Sequence, residues 1–306
     1  MRFILLFYLC AINIMSAEQG QMERSLALKK FSMDSIKFEA NEAKGPVIVL
    51  IGRRDTGKSF LVRDLLFHHR MIPIGTAMSG TEEGNGFYSE LIPKLFIHNE
   101  FSTAVIEKVL QRQKGILKQI KKETLAHRQS KIDPRTFIIL DDCLYDDKWT
   151  RDKLMRCLFM NGRHWKIMLI ITMQYPLGIP PVLRSNIDYV FILREPVAAN
   201  RKRIYENYAG MFYTLNAFNQ VMDQCTQNYE CLVINNNTKS NSLLDQVFWY
   251  KAEGRPPFRL GSKEYWERSA AIRDTDTDGG GIKPYDPQAI KRRGNEPILR
   301  VNKSQY

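Results

Sequence analysis

Long apolar runs are scarce in this chain of 306 residues. The run near the start, from Phe3 to Ile12, is too short for an ordinary membrane-spanning helix, which needs about 20 apolar residues. With Arg2 before it and Ser16-Ala17 after it, the stretch resembles a secretory signal. The cysteines argue against export. There are five, Cys10, Cys143, Cys157, Cys225 and Cys231, an odd number without a C-x-x-C pair, which predicts reduced thiols in a cytosol-like compartment and no zinc site. The favoured readings of residues 1–17 are therefore a membrane tether or an upstream extension of the gene model, with the true start at Met15 or Met22. Acidic residues are also in deficit, 33 against 45 Lys and Arg, which leaves a net charge of +12 and a pI near 9.4. A small anionic ligand does not require that surplus, whereas a polyanion such as nucleic acid would use it. With 44% hydrophobic and 25% charged residues, the composition is that of a globular protein and excludes a fibre or a disordered chain.

What is present begins with Gly52-Arg53-Arg54-Asp55-Thr56-Gly57-Lys58-Ser59, which fits the phosphate-loop pattern G-x-x-x-x-G-K-[ST] at every specified position. The apolar run Val47 to Ile51 precedes it, and Phe60 to Leu66 continues it at helical spacing, so the context is strand, glycine loop, helix. Gly52 and Gly57 permit backbone conformations in which successive N–H groups point at phosphate oxygens, and the start of the helix adds to the anion site. Lys58 would reach the β- and γ-phosphates of ATP, and the Ser59 hydroxyl would coordinate Mg²⁺.

Further along, Ile72 to Met78 reads as a second strand, followed by a loop, Ser79 to Gly86, whose Glu82 and Glu83 read first as solvated charges and second as contacts to a neighbouring subunit. From Phe101 to about Arg128, apolar residues recur at three- and four-residue spacing, which predicts a long amphipathic helix. Its other face carries Lys108, Arg112, Lys114, Lys118, Lys121, Lys122 and Arg128, read first as a solvated face and second as a DNA-facing one. Phe137 to Leu140 is a short buried strand closed by Asp141-Asp142. At the carboxyl end of a strand beside the phosphate loop, Asp141 would hold Mg²⁺ and Asp142 would orient or activate the attacking water. Ile167 to Thr172 is another strand, and Gln174 just beyond it offers an amide to the γ-phosphate or the lytic water. Tyr189 to Leu193 and Cys231 to Ile234 complete the strands, the latter expected to be the last. The fold class is thus α/β, a mostly parallel central sheet flanked by helices. The domain is expected over 45–266, after an apolar segment and polar lead-in over 1–44 and before a polar, basic tail over 267–306.

The ordered set of Gly52 to Ser59, Ile138-Ile-Leu-Asp-Asp142, Asn161-Gly-Arg-His164, Ile170-Ile-Thr-Met-Gln-Tyr175, Arg184 to Tyr189 and Phe258 to Trp266 resembles the DNA-packaging ATPases of nucleocytoplasmic large DNA viruses. These are the poxvirus-type packaging ATPases within the FtsK/HerA-like branch of P-loop motors. The resemblance covers about Gly45 to Trp266. It implies a P-loop NTPase sheet of RecA-like order and a homo-oligomeric ring that hydrolyses ATP with Mg²⁺ to move double-stranded DNA into a capsid. Capsid or inner-membrane proteins would be further partners, and the place of action the host cytoplasm at the assembly site, or the virion. Many relatives in the wider branch carry Asp-Glu where this chain has Asp141-Asp142. Arg163 and Arg184 are the candidates for an arginine acting on a neighbour's γ-phosphate, with a structural ion pair as the alternative for each. Two rival functions are a P-loop small-molecule or nucleoside kinase and a membrane-associated assembly protein switched by ATP. No acceptor site or arginine-rich lid can be placed for the first, and Asp142 opposes the second.

Overall fold

The computed structural model describes residues 26–40, 44–143 and 147–276. Its centre is a nine-stranded sheet in the order β1-β9-β8-β7-β2-β6-β5-β3-β4. The strands are β1 Lys29–Lys30, β2 Val47–Ile51, β3 Gly75–Ser79, β4 Ile97–His98, β5 Thr136–Asp141, β6 Ile167–Met173, β7 Tyr189–Ile192, β8 Glu230–Asn235 and β9 Val247–Lys251. From β7 to β4 all neighbours run parallel, whereas β8 runs antiparallel to both β7 and β9. The central strands are uninterrupted apolar runs because helices cover both of their faces.

Alternation along β2 shows the two layers. Val47, Val49 and Ile51 face a core completed by helices α3 (Thr103–Leu125), α4 (Lys153–Asn161), α6 (Ala198–Tyr208) and α7 (Leu215–Cys225). Ile48 and Leu50 face a second core completed by α1 (Lys58–His68) and Tyr265 of α9 (Lys263–Asp276). Single-turn helices α2 (Glu82–Asn85), α5 (Pro181–Arg184) and α8 (Leu243–Gln246) lie between these elements in the chain. The order β7-β2-β6-β5-β3 inserts β6 between the phosphate-loop strand and the strand ending in Asp141, which is the RecA-like arrangement.

Several expectations change. The second strand starts at Gly75 rather than Ile72, and a Cβ at Gly75 would lie 2.2 Å from the Phe137 ring on β5, so glycine is needed where the two strands first pair. Glu82 is not solvated: it is buried, and its carboxylate accepts hydrogen bonds from the backbone N–H groups of Tyr88 (2.9 Å) and Ser89 (2.8 Å). The strand containing Cys231 is not the last, since β9 pairs beside it and carries Phe248, Trp249 and the buried Tyr250. Residues expected in the lead-in join the domain, with β1 pairing to β9 and Phe31, Met33, Ile36 and Phe38 buried in the second core. At the other end α9 continues to Asp276, past the expected boundary at 266. The apolar stretch 1–17 and the tail from 277 lie outside the described residues.

Candidate active site

The phosphate loop leaves the carboxyl end of β2, where parallel α/β sheets bind ligands. The Gly52 N–H donates to the Met173 carbonyl (3.0 Å), tying the loop to the end of β6. A Cβ at Gly52 would sit 2.8 Å from Thr56 Oγ1 and 2.9 Å from Leu193 Cδ1, so a side chain there would push the loop open. The Thr56 hydroxyl donates to the Arg53 carbonyl (2.8 Å) and braces the turn from within. Gly57 adopts φ +90° as the cap of α1, a backbone setting in which other residues are strained. Lys58 is buried at the start of α1, whereas Ser59 is exposed.

Asp141 is the last residue of β5, Asp142 follows it, and their side chains diverge. Asp141 accepts from the Thr172 hydroxyl on one oxygen (2.5 Å) and from the Ser79 hydroxyl on the other (3.0 Å). The fully buried Tyr88 hydroxyl also bonds Asp141, and burial together with that carboxylate raises its pKa well above the ordinary value. Asp142 takes a left-handed backbone, φ +46°, which turns its carboxylate toward the loop. There Asp142 Oδ2 accepts from Lys58 Nζ (2.5 Å) and from Gln174 Nε2 (3.0 Å). Thr172 serves both acids, because the Asp142 N–H donates to the same hydroxyl (3.1 Å) that donates to Asp141. Cys143, next in sequence, has its thiol pushed up to about 12 by burial and by the two carboxylates, so it stays protonated and unreactive.

Three of the residues singled out by sequence, Lys58, Asp142 and Gln174, thus meet on one carboxylate oxygen, and Asp141 is linked to them through the Thr172 hydroxyl. The residues that could hold a cation, Ser59 through its hydroxyl and Asp141 through its carboxylate, offer only oxygen, a set suited to a hard cation such as Mg²⁺. Beside the loop lies a cleft of about 830 Å³, lined by Arg53, Arg54, Gln174, Arg194 and Tyr229 among others.

Neither Arg163 nor Arg184 lines that cleft. Arg163 donates to Asp188 (3.0 Å), whose other oxygen accepts from the Val47 N–H (2.8 Å), so this pair clamps the end of β2 farthest from the loop. Burial pushes the Asp188 carboxyl up, although the Val47 N–H and the Arg163 charge oppose the shift. The Arg184 guanidinium lies 5.6 Å from the centre of the Tyr208 ring, and its Nη1 is buried without a hydrogen-bond partner among the described residues.

Ser79, Tyr88 and Thr172 were not anticipated as parts of this site. For Thr172, and more weakly for Ser79, a signal existed: each is a hydroxyl at or next to the last position of a buried strand. Tyr88 offered none, since it reaches Asp141 from a connecting segment.

A family model described as Poxvirus A32 protein matches residues 30–244. The uncharacterized protein L437 of Acanthamoeba polyphaga mimivirus is 42% identical over 235 residues, covering 75% of this chain and 81% of the relative. Uncharacterized protein 088R of Invertebrate iridescent virus 3 is 38% identical over 262 residues, covering 82% and 96%. Among solved structures, the genome packaging NTPase B204 of Sulfolobus turreted icosahedral virus 2, in complex with AMPPCP, aligns with a TM-score of 0.47 at 15% identity, over 69% of this chain and 99% of that one.

Proposed function

The chain belongs to the poxvirus A32 protein family, and from that premise we propose that it is an Mg²⁺-dependent ATPase whose hydrolysis cycle drives double-stranded viral DNA into a capsid. The observation that carries this reading is the meeting of Lys58, Asp142 and Gln174 on one carboxylate oxygen, beside Asp141. A nucleotide-gated switch needs the loop and a cation; a hydrolase also needs a group that positions water, and Asp142 with Gln174 supplies one.

In this reading the loop N–H groups from Gly52 to Ser59 hold the phosphates and Lys58 faces the transferred one. Ser59 and Asp141 would hold Mg²⁺, which would supply charge neutralisation to the bound phosphates. Asp141 is aimed by the hydroxyls of Ser79 and Thr172. Asp142 accepts a hydrogen bond from the attacking water, and Gln174 fixes its direction without competing for the cation. The basic surplus of the chain and the exposed lysines of α3 support a polyanionic track. A homo-oligomeric ring is part of the same proposal, with Arg163 or Arg184 reaching a neighbour's γ-phosphate. Engagement of Arg163 with Asp188 makes Arg184, whose Nη1 lacks a partner among the described residues, the better candidate. The site of action is the host cytoplasm or the virion, and no helix among the described residues is long and apolar enough to cross a membrane.

The test is ATP hydrolysis by the full chain at low salt, with and without double-stranded DNA, beside Lys58→Ala and Asp142→Asn. Stimulation by DNA that both variants lose is the expected result. A wild-type chain that hydrolyses ATP at the same rate with and without DNA contradicts the motor.

A further inference from the structure

The connection between α7 and β8 is four residues, Thr226 to Tyr229, and it carries a conformation that its sequence does not favour. Asn228 and Tyr229 take φ +51° and +64°, two consecutive left-handed residues without a glycine. Asparagine visits that region readily, whereas for tyrosine it is a strained setting. The rest of the loop is held firmly: Thr226 is buried and its hydroxyl donates to the Met222 carbonyl (2.6 Å), while the Glu230 N–H donates to the Gln227 carbonyl (2.9 Å). The strain therefore falls on Tyr229, and its consequence is the position of the ring.

Tyr229 lies against the phosphate loop. A Cβ on Gly57 would stand 3.2 Å from Tyr229 Cδ1, so the ring edge rests on the last glycine before Lys58. Elsewhere the ring is open, with 69% of the residue exposed, and it borders the cleft that Arg53, Arg54 and Gln174 also line. An aromatic residue left this open forgoes the burial that usually holds such rings in place. It thus stands at the edge of a cleft of about 830 Å³ that opens beside the phosphate loop.

We infer that Tyr229 is the base-stacking residue of the nucleotide site. This rests on the phosphate-loop reading above and adds the recognition of the nucleoside. Stacking on an aromatic face accepts any base, because every base presents a π-face. The site is accordingly expected to bind purine nucleoside triphosphates without strong preference between ATP and GTP, and to draw a share of its affinity from the base rather than from the phosphates alone.

Calorimetric titration of the full chain with ATP, GTP and inorganic tripolyphosphate, each with Mg²⁺, separates these contributions. Tyr229→Ala is expected to weaken ATP and GTP alike by about tenfold or more and to leave tripolyphosphate unchanged, while Tyr229→Phe binds all three as wild type does. If Tyr229→Ala binds ATP as tightly as wild type, or loses tripolyphosphate in the same proportion as ATP, the stacking role is overturned and the phosphate loop stands. If wild type binds neither ATP nor tripolyphosphate, the phosphate-loop reading falls first and the stacking role with it.

Discussion

Lys58 Nζ lies 2.5 Å from Asp142 Oδ2, so the ammonium assigned to the γ-phosphate is held by the carboxylate assigned to the water. Gln174 shares that oxygen at 3.0 Å, and the three side chains form one charge-assisted unit. Phosphate oxygens and Asp142 therefore compete for Lys58. Asp142→Asn removes the competing charge and the water-orienting acceptor together. It is expected to bind ATP at least as tightly as wild type and to lower kcat by about 100-fold or more, the usual reach of a positioned base. Lys58→Ala is expected to lose binding. Parallel Kd and single-turnover measurements check both, and wild-type turnover by Asp142→Asn would remove that residue from the reaction.

Thr172 joins the two acids through one hydroxyl. Thr172→Val keeps the shape of the strand and deletes both hydrogen bonds, leaving Asp141 without one of its two hydroxyl donors while Ser79 still holds the other oxygen. Removing such a supporting hydrogen bond typically costs about 10–100-fold in metal affinity or activity. The expected signature is a higher Mg²⁺ requirement, measured by titrating Mg²⁺ at saturating ATP, with Thr172→Ser restoring most of the deficit. An unchanged Mg²⁺ dependence in Thr172→Val would assign the hydroxyl to folding alone.

The exposed lysines of α3 test the DNA track. Lys118, Lys121 and Lys122 are solvent-facing on a helix whose buried side is formed by Ile106, Leu110 and Gln113. Changing all three to glutamine is expected to reduce DNA stimulation and to flatten the salt dependence of DNA binding, by about one unit of slope for each phosphate that is no longer neutralised. DNA-independent ATPase activity should not change. Equal salt slopes for variant and wild type would place the track on another surface.

Asp64 is completely buried in the phosphate-loop helix α1, and it binds three groups from beyond β8. It accepts from the Tyr250 hydroxyl (2.5 Å), the Glu253 N–H (3.0 Å) and Arg255 Nε (2.6 Å). Asp64→Ala strands those donors and is expected to cost about 3–5 kcal/mol, the usual penalty for removing one member of a buried pair. Tyr250→Phe deletes one hydrogen bond to a carboxylate and should cost about 1.5–3 kcal/mol. Denaturant unfolding of both variants gives the comparison.

His69 supplies a pH dependence with a definite sign. Burial, with help from His68 and Arg135, lowers its pKa from 6.5 to about 4, so the folded state keeps it neutral. The unfolded chain takes up a proton as pH falls through 6.5, and the folded one does so only near 4. Stability from this group is therefore complete above pH 6.5 and declines between there and 4, by about 2 kcal/mol at pH 5. His69→Phe is expected to flatten the difference in unfolding free energy between about pH 7 and pH 5 by that amount.

Sequence alone determined the parts of this protein that depend on neighbours along the chain. The phosphate loop is eight consecutive residues between an apolar strand and a helix, and Asp141-Asp142 terminates a strand by its own local pattern. Their residue types carry their chemistry wherever the chain folds. Only the tertiary structure decided what each is bound to. Insertion of β6 between β2 and β5 makes Thr172, 31 residues from Asp141, the group that holds it. Asp64 reads locally as one polar position on a helix, and its burial depends on Tyr250 and Arg255, 186 and 191 residues away. Glu82 reads as a loop charge because the backbone N–H groups that bury it form a turn with no periodic signature. Hydrophobic spacing reports which face of an element is covered, but not which element covers it; side-chain pairing across a sheet is set by strand order and register, and these exist only once the whole chain has folded.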